Sequence, residues 1–264
     1  MNVFNFFFAD SGPVIHIAPG VIFHFGKYAI TNSIFYGWIS VFIMIVLLII
    51  AAKKMTVFPK KGPIQLVEVT TEFILNTVDT SFEDKDKAKK YRPYFVTLFF
   101  FILFNNWLGL LPFVGEGFTL FGFPVLRPFT ADLNATFAMG AVTMIYVYYS
   151  SVKESGGLKE YLNHFFVGNP KNPLYLIIGM LEMLTDITRV ISLSLRLFLN
   201  IAIGEIVIAV FSYLGHILAP LTALPFTLIE LFVTALQAYI FTILSIMYLA
   251  IVVNHKSEEH AETT

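Results

Sequence analysis

Long apolar runs separated by short polar stretches set the first reading of this chain. Residues 33–52 contain IFYGWISVFIMIVLLIIAA, from Ile34 to Ala52, which meets the ~20 residues that a membrane-crossing helix requires. The run stops at Lys53-Lys54, with Lys60-Lys61 close behind, so the positive-inside rule puts that end on the cytoplasmic side. From 62 to 82 the pattern changes. Leu66, Val69, Phe73 and Val78 recur at roughly helical spacing while Glu68, Glu72 and Asp79 interrupt them. This predicts an amphipathic helix lying on the membrane surface, followed by the charge run EDKDKAKK, Glu83 to Lys90, in solvent.

Residues 94–114 and 131–151 predict a second and a third crossing, joined by a Pro/Gly-rich outer loop around Leu111 to Pro128. Another lysine-bearing loop, VKESGGLKE, follows. Beyond Pro173 the chain is apolar almost without a break, and Pro220 and Pro225 divide it into two long helices, 173–217 and 221–254. A turn is expected near Leu218 to Leu224. Residues 1–31 read as an N-terminal segment outside the bilayer, and 255–264 as a polar cytoplasmic tail. The expected fold is a single all-α polytopic membrane domain with five crossing helices and one surface helix. Its N-terminus lies outside and its C-terminus inside, so that every lysine-bearing loop falls on one side.

Composition strengthens this picture. Of 264 residues, 57% are hydrophobic and 13% charged, and the mean hydropathy is +0.75, whereas soluble domains carry about 25% charged residues. Twenty-nine phenylalanines are more than one water-soluble core of this size would hide. The net charge of −1 offers no basic surface for nucleic acid. There is no cysteine, which removes disulfides and thiolate chemistry. The six histidines show no pair at metal-ligand spacing, so neither a metal nor a cofactor is expected. The first thirty residues lack the basic start, apolar run and cleavage site of a secretory signal, so insertion is expected from the internal spans.

The last two apolar segments carry Glu182, Asp186, Arg189, Arg196, Glu205 and Glu230. A charge at the bilayer centre costs about 2.5–3.5 kcal/mol on insertion scales, so such groups imply partners, water or both. Residues seven apart on a helix differ by only ~20° in direction, which aligns Glu182, Arg189 and Arg196, with Ser192 and Asn200 near the same stripe. Glu230, Thr234 and Gln237 form a stripe on the following helix. If the two helices are antiparallel, Glu205 and Glu230 reach similar depth, and two carboxyl groups there would not both ionise. That suits a proton carrier. Arginine stays cationic and cannot relay a proton, so Arg196 either holds carboxylates or is a structural ion pair. Asp186 and Arg189, at i and i+3, read as a local pair, and Asn105, Asn106 and Trp107 as interfacial or packing groups. Three readings stand at this point: a proton channel, a stand-alone cation-coupled secondary transporter, and a structural membrane subunit. The absence of an internal repeat gives the inverted-repeat transporter plan no support.

SLSLRLFLN (Ser192 to Asn200), the Gly204-Glu205 pair and TALQAYIFTILSIMYLA (Thr234 to Ala250) resemble subunit a of the rotary F-type ATP synthase. PKKGPIQLVEVTTEF and TADLNATFAM extend the likeness over most of the chain. The resemblance implies that Arg196 is the family's essential arginine facing the c-subunit ring, with Gln237 beside it. It implies that Glu205, Glu230, Asn200 and Asp132 belong to a half-channel open to the outside, and Glu182, Thr185 and Ser192 to one open to the cytoplasm. It further implies that the last two helices tilt against the ring. The partners would be the c-ring, the peripheral-stalk b subunits and the remaining synthase subunits. The location would be a bacterial plasma membrane, and the chain a non-catalytic subunit. Leu199 stands where many members have glycine, and the larger Ile201 to Ile203 raises a question of space for water.

Overall fold

A computed structural model of the chain describes residues 19–25, 28–54, 62–111, 114, 119–120, 123–157 and 173–262. Among them are six α-helices: α1 (Asn32–Lys54), α2 (Pro63–Ser81), α3 (Lys85–Gly109), α4 (Leu133–Glu154), α5 (Pro173–Gly215) and α6 (Ala219–Glu262). There are also two short antiparallel hairpins among these residues, β1/β2 (Val21–Phe25 with Tyr28–Thr31) and β3/β4 (Thr119–Leu120 with Phe123–Pro124).

Among the described residues, four helices are long and apolar enough to cross a membrane: α1, α4, and the stretches Ile187–Gly215 of α5 and Ala219–Asn254 of α6. The fifth expected crossing falls on α3, which is not among them. Its first turns carry Lys85, Lys87, Lys89, Lys90 and Arg92, and Asn105 and Asn106 stand near its other end. Three boundaries also differ from the sequence pattern. The charge run expected in solvent already opens α3, because Ala88 and Tyr91 on its inner face are buried. The turn between the long helices is a short 3-10 segment, His216–Leu218, earlier than the prolines suggested. Pro220 lies in the first turn of α6, where its missing N–H costs nothing, and Pro225 is accommodated inside the helix. The segment 1–31, for which no regular element was expected, contains β1/β2.

The chain divides into two compact units. One comprises Met1–Lys60, Phe99–Thr136 and Leu195–Ile240. Here Asn32 ties the hairpin to α1. Its Oδ1 accepts the Gly20 N–H at 3.1 Å, and its own N–H donates to the Gly20 carbonyl at 2.9 Å. Tyr36 donates its hydroxyl to the Leu108 carbonyl at 2.7 Å. The Phe129 ring fits against Gly37, where a Cβ would clash with it, and meets Phe101 edge-on. Trp107 Nε1 and Asn106 Nδ2 donate to the carbonyls of Leu231 and Thr234 at 3.2 and 3.3 Å, which bears out the packing reading of these residues. Phe211 and Phe226 stack at 3.8 Å across the α5/α6 turn.

The other unit comprises Lys61–Leu98, Phe137–Ser194 and Phe241–Thr264. Ile74 and Val78 of α2 are fully buried, whereas Leu66, Val69 and Phe73 remain exposed, so the helix presents two apolar faces. Arg92 pairs with Asp79 through Nε at 2.7 Å and Nη2 at 2.5 Å. This hydrogen bonding pushes the guanidinium above its ordinary value. Glu154, at the end of α4, gathers Lys87, Lys90 and the Tyr91 hydroxyl. Asn254 accepts the Glu83 N–H and donates to the Ser81 carbonyl, fixing α6 beside the end of α2.

Candidate functional site

The first unit gathers most of the polar residues singled out in the sequence. Asp132 precedes α4, and its two carboxylate oxygens have separate tasks. Oδ1 accepts the Asn134 N–H at 3.0 Å, capping the orphan donors of the helix start. Oδ2 accepts the Ser33 hydroxyl of α1 at 2.6 Å. The residue is only 4% exposed.

On α5 and α6, Asn200 Nδ2 donates to Gln237 Oε1 at 3.2 Å. One helical turn onward, the Glu230 carboxyl lies on Gly204, so close that a Cβ at 204 would overlap it. The glycine therefore provides a notch that brings Glu230 beside Glu205, and the two carboxyl groups interact electrostatically. Oε1 of Glu230, Nε2 of Gln237 and Oδ1 of Asn106 are buried without a hydrogen-bond partner. An unsatisfied buried polar atom costs about 1–3 kcal/mol.

Arg196 differs. It is exposed, on a face of α5 that also exposes Ile191, Leu195, Leu199 and Ile203. Leu199 and Ile203 thus point away from the Asn200–Gln237 and Gly204–Glu230 contacts, and their bulk does not fill the space beside them. Arg189 lies over the Tyr248 ring at 4.4 Å, a cation–π contact. The Asp186 side chain lies outside the described residues.

Of the residues assigned to the inner side, two have described side chains. Thr185 and Ser192 are exposed, and the Thr185 hydroxyl donates to its own helix, at the Leu181 carbonyl, 2.8 Å away. The Glu182 side chain also lies outside the described residues.

Two contributors were not read from the sequence. Ser33 reaches Asp132 across 99 positions, which no local pattern reveals. Arg127, 4% exposed in the segment before α4, interacts electrostatically with Glu205 and Asp132. Burial pushes its guanidinium below the ordinary value, and the two carboxylates act against that. The signal available was an arginine five residues before Asp132 in LRPFTAD.

A family model described as ATP synthase A chain matches residues 34–250. Among curated relatives, the ATP synthase subunit a of Anaeromyxobacter dehalogenans is 33% identical over 250 residues, covering 89% of this chain and 61% of that protein. That of Chlorobium phaeobacteroides is 32% identical over 93% of this chain and 71% of its own length. That of Moorella thermoacetica is 28% identical over 89% and 96% respectively. The chain spans 61% and 59% of the length of two Anaeromyxobacter relatives.

Proposed function

Because the chain belongs to the ATP synthase A chain family, we propose that it conducts protons between the outside and a ring of c subunits, and couples that flow to ring rotation. The observation that carries this is the contrast within one unit. A permanent cation, Arg196, is exposed on an apolar helix face, while Glu230, Gln237 and Asp132 are buried, with Glu205 and Asn200 beside them. An arginine against lipid is costly, so the α5 face requires a partner that welcomes a cation. A ring carboxylate does so.

In this mechanism protons enter on the outer side along Asp132, Glu230 and Glu205, with Asn200 and Gln237 orienting the last step. They neutralise a ring carboxylate, which then tolerates lipid. After nearly a full rotation the site meets the cytoplasmic path marked by Glu182, Thr185 and Ser192 and loses its proton. Arg196 attracts each deprotonated carboxylate and, since it cannot release its own proton, blocks a direct leak between the two paths. A membrane potential of ~100 mV supplies about 2.3 kcal/mol per charge, so several protons drive each ATP made elsewhere in the complex. The chain itself carries out no ATP chemistry. In this arrangement α3 is the fifth crossing, supported by α4 rather than by its own hydropathy, and α2 lies along the cytoplasmic surface of a bacterial plasma membrane. The b subunits of the peripheral stalk hold the chain against the turning ring.

The test is ATP-driven proton pumping in vesicles holding the assembled synthase. Arg196→Ala is expected to abolish coupled pumping while the complex still co-purifies. Pumping at the wild-type rate would sink the reading.

A further inference from the structure

Within the segment from Val125 to Asp132, Arg127, Pro128 and Thr130 to Asp132 are buried rather than looped into solvent. Pro128 packs on Gly109, where a Cβ would meet its ring at 2.8 Å, and Phe129 packs on Gly37. Thr130 and Ala131 are fully buried. The Ala131 N–H donates to the Pro128 carbonyl at 3.1 Å, and Arg127 Nη2 donates back to the Ala131 carbonyl at 3.0 Å. The guanidinium is therefore held at a fixed place inside the protein, with two acidic groups of the same unit near enough to act on its charge. Asp132 and Glu205 interact with it electrostatically, and Glu230 lies on Gly204 next to Glu205.

We propose that Arg127 is a positioning residue of the outer half-channel, the fixed counter-charge that holds the Asp132 and Glu205 carboxylates in place to receive incoming protons. The proposal rests on the reading of Glu205 as a channel group. Carboxylates buried near one another in low dielectric, as Glu205 and Glu230 are, repel one another. A cation among them offsets that repulsion. Arg196 does not do this from the exposed α5 face, where its charge is available to a partner. The two arginines thus divide the work: one faces the ring, and the other, buried on the outer side, supports the acids that feed it. The guanidinium suits this role because it stays charged when buried. Its hydrogen bond to Ala131 fixes its direction, and Ser33 fixes Asp132 from the other side.

The experiment measures passive proton conduction through vesicles holding the assembled complex after removal of its soluble head, for wild type, Arg127→Gln, Arg127→Lys, Glu205→Gln and the Arg127→Gln/Glu205→Gln double variant. Arg127→Gln is expected to lower conduction about tenfold, equivalent to ~1.4 kcal/mol, and Arg127→Lys to recover most of it. In the Glu205→Gln background, Arg127→Gln should cost less than in wild type, because one of the two carboxylates that the counter-charge serves is gone. Wild-type conduction in Arg127→Gln overturns the proposal, and so does an equal loss in both backgrounds, which would mark a mere staple of the segment. If Arg127→Gln fails to assemble, the charge-keeping Arg127→Lys decides. Near-normal conduction supports the proposal, and conduction reduced about tenfold, or failure to assemble, overturns it. Wild-type conduction in Glu205→Gln would instead sink the reading on which the proposal rests.

Discussion

At the scale of single residues, the carboxylates Asp132 and Glu230 are held by contacts whose loss has readable consequences. Ser33→Ala removes the donor to Asp132 Oδ2 and leaves a buried carboxylate oxygen short of a partner. Hydrogen bonds to charged groups contribute about 1.5–3 kcal/mol, so the thermal midpoint of the purified chain should fall, and Ser33→Thr should recover most of it. An unchanged midpoint in Ser33→Ala would show the contact to be dispensable. Gly204→Ala is a steric test. The added methyl meets the Glu230 carboxyl, and overpacking typically costs about 1–3 kcal/mol. Combining it with the shorter Glu230→Asp should regain stability in a melting experiment, whereas two independent losses would argue against the notch. Neither contact was legible in the sequence. Helical periodicity placed Glu205 and Glu230 at similar depth, but not the glycine that lets them meet, nor a serine 99 positions from its partner. Arg127 escaped notice for a related reason: a charged residue in a Pro/Gly-rich stretch reads as solvated until Pro128 and Phe129 are seen to bury the segment.

At the scale of elements, apolar length was the most legible signal. The expected 33–52 corresponds to α1, and the expected 173–217 and 221–254 to α5 and α6. The misreadings came where a residue type has two physical meanings. Proline ends a helix interior but also starts a helix, and Pro220 does the latter. Lysine-rich sequence reads as solvent, yet Lys87 and Lys90 reach Glu154 from the flank of a helix whose other side is buried. The reversal between α5 and α6 falls on His216, whose φ of 44° is the positive value among described non-glycine residues. A left-handed backbone costs an L-residue roughly 1–2 kcal/mol. His216→Gly should therefore raise the thermal midpoint by an amount equivalent to about 0.5–1 kcal/mol after its larger unfolded-state entropy is counted. His216→Val should lower it. The opposite order would show that the turn is not strained at this residue.

At the scale of the whole molecule, the exposed face of α5 is the feature that internal packing does not explain. Leu195, Leu199 and Ile203 are 39%, 47% and 55% exposed, on the side that carries Arg196. Scattered leucines on a membrane helix need no partner, since lipid solvates them, but a permanent cation among them does. The two requirements are separable by experiment. Leu199 is exposed, so Leu199→Ala should leave the isolated chain's thermal midpoint within the ~0.5 kcal/mol typical of surface substitutions. In the complex the same change removes apolar area worth roughly 25 cal/mol per Å² wherever a ring helix covers it. Co-purification of the c-ring under increasing detergent should then fail sooner than in wild type. Phe42→Ala on α1, exposed at 68% and remote in sequence from Arg196, provides the comparison. If Leu199→Ala destabilises the isolated chain, the α5 face is an internal packing surface. If both variants hold the ring equally well, the ring lies elsewhere, and Arg196 must find its carboxylate on a different partner.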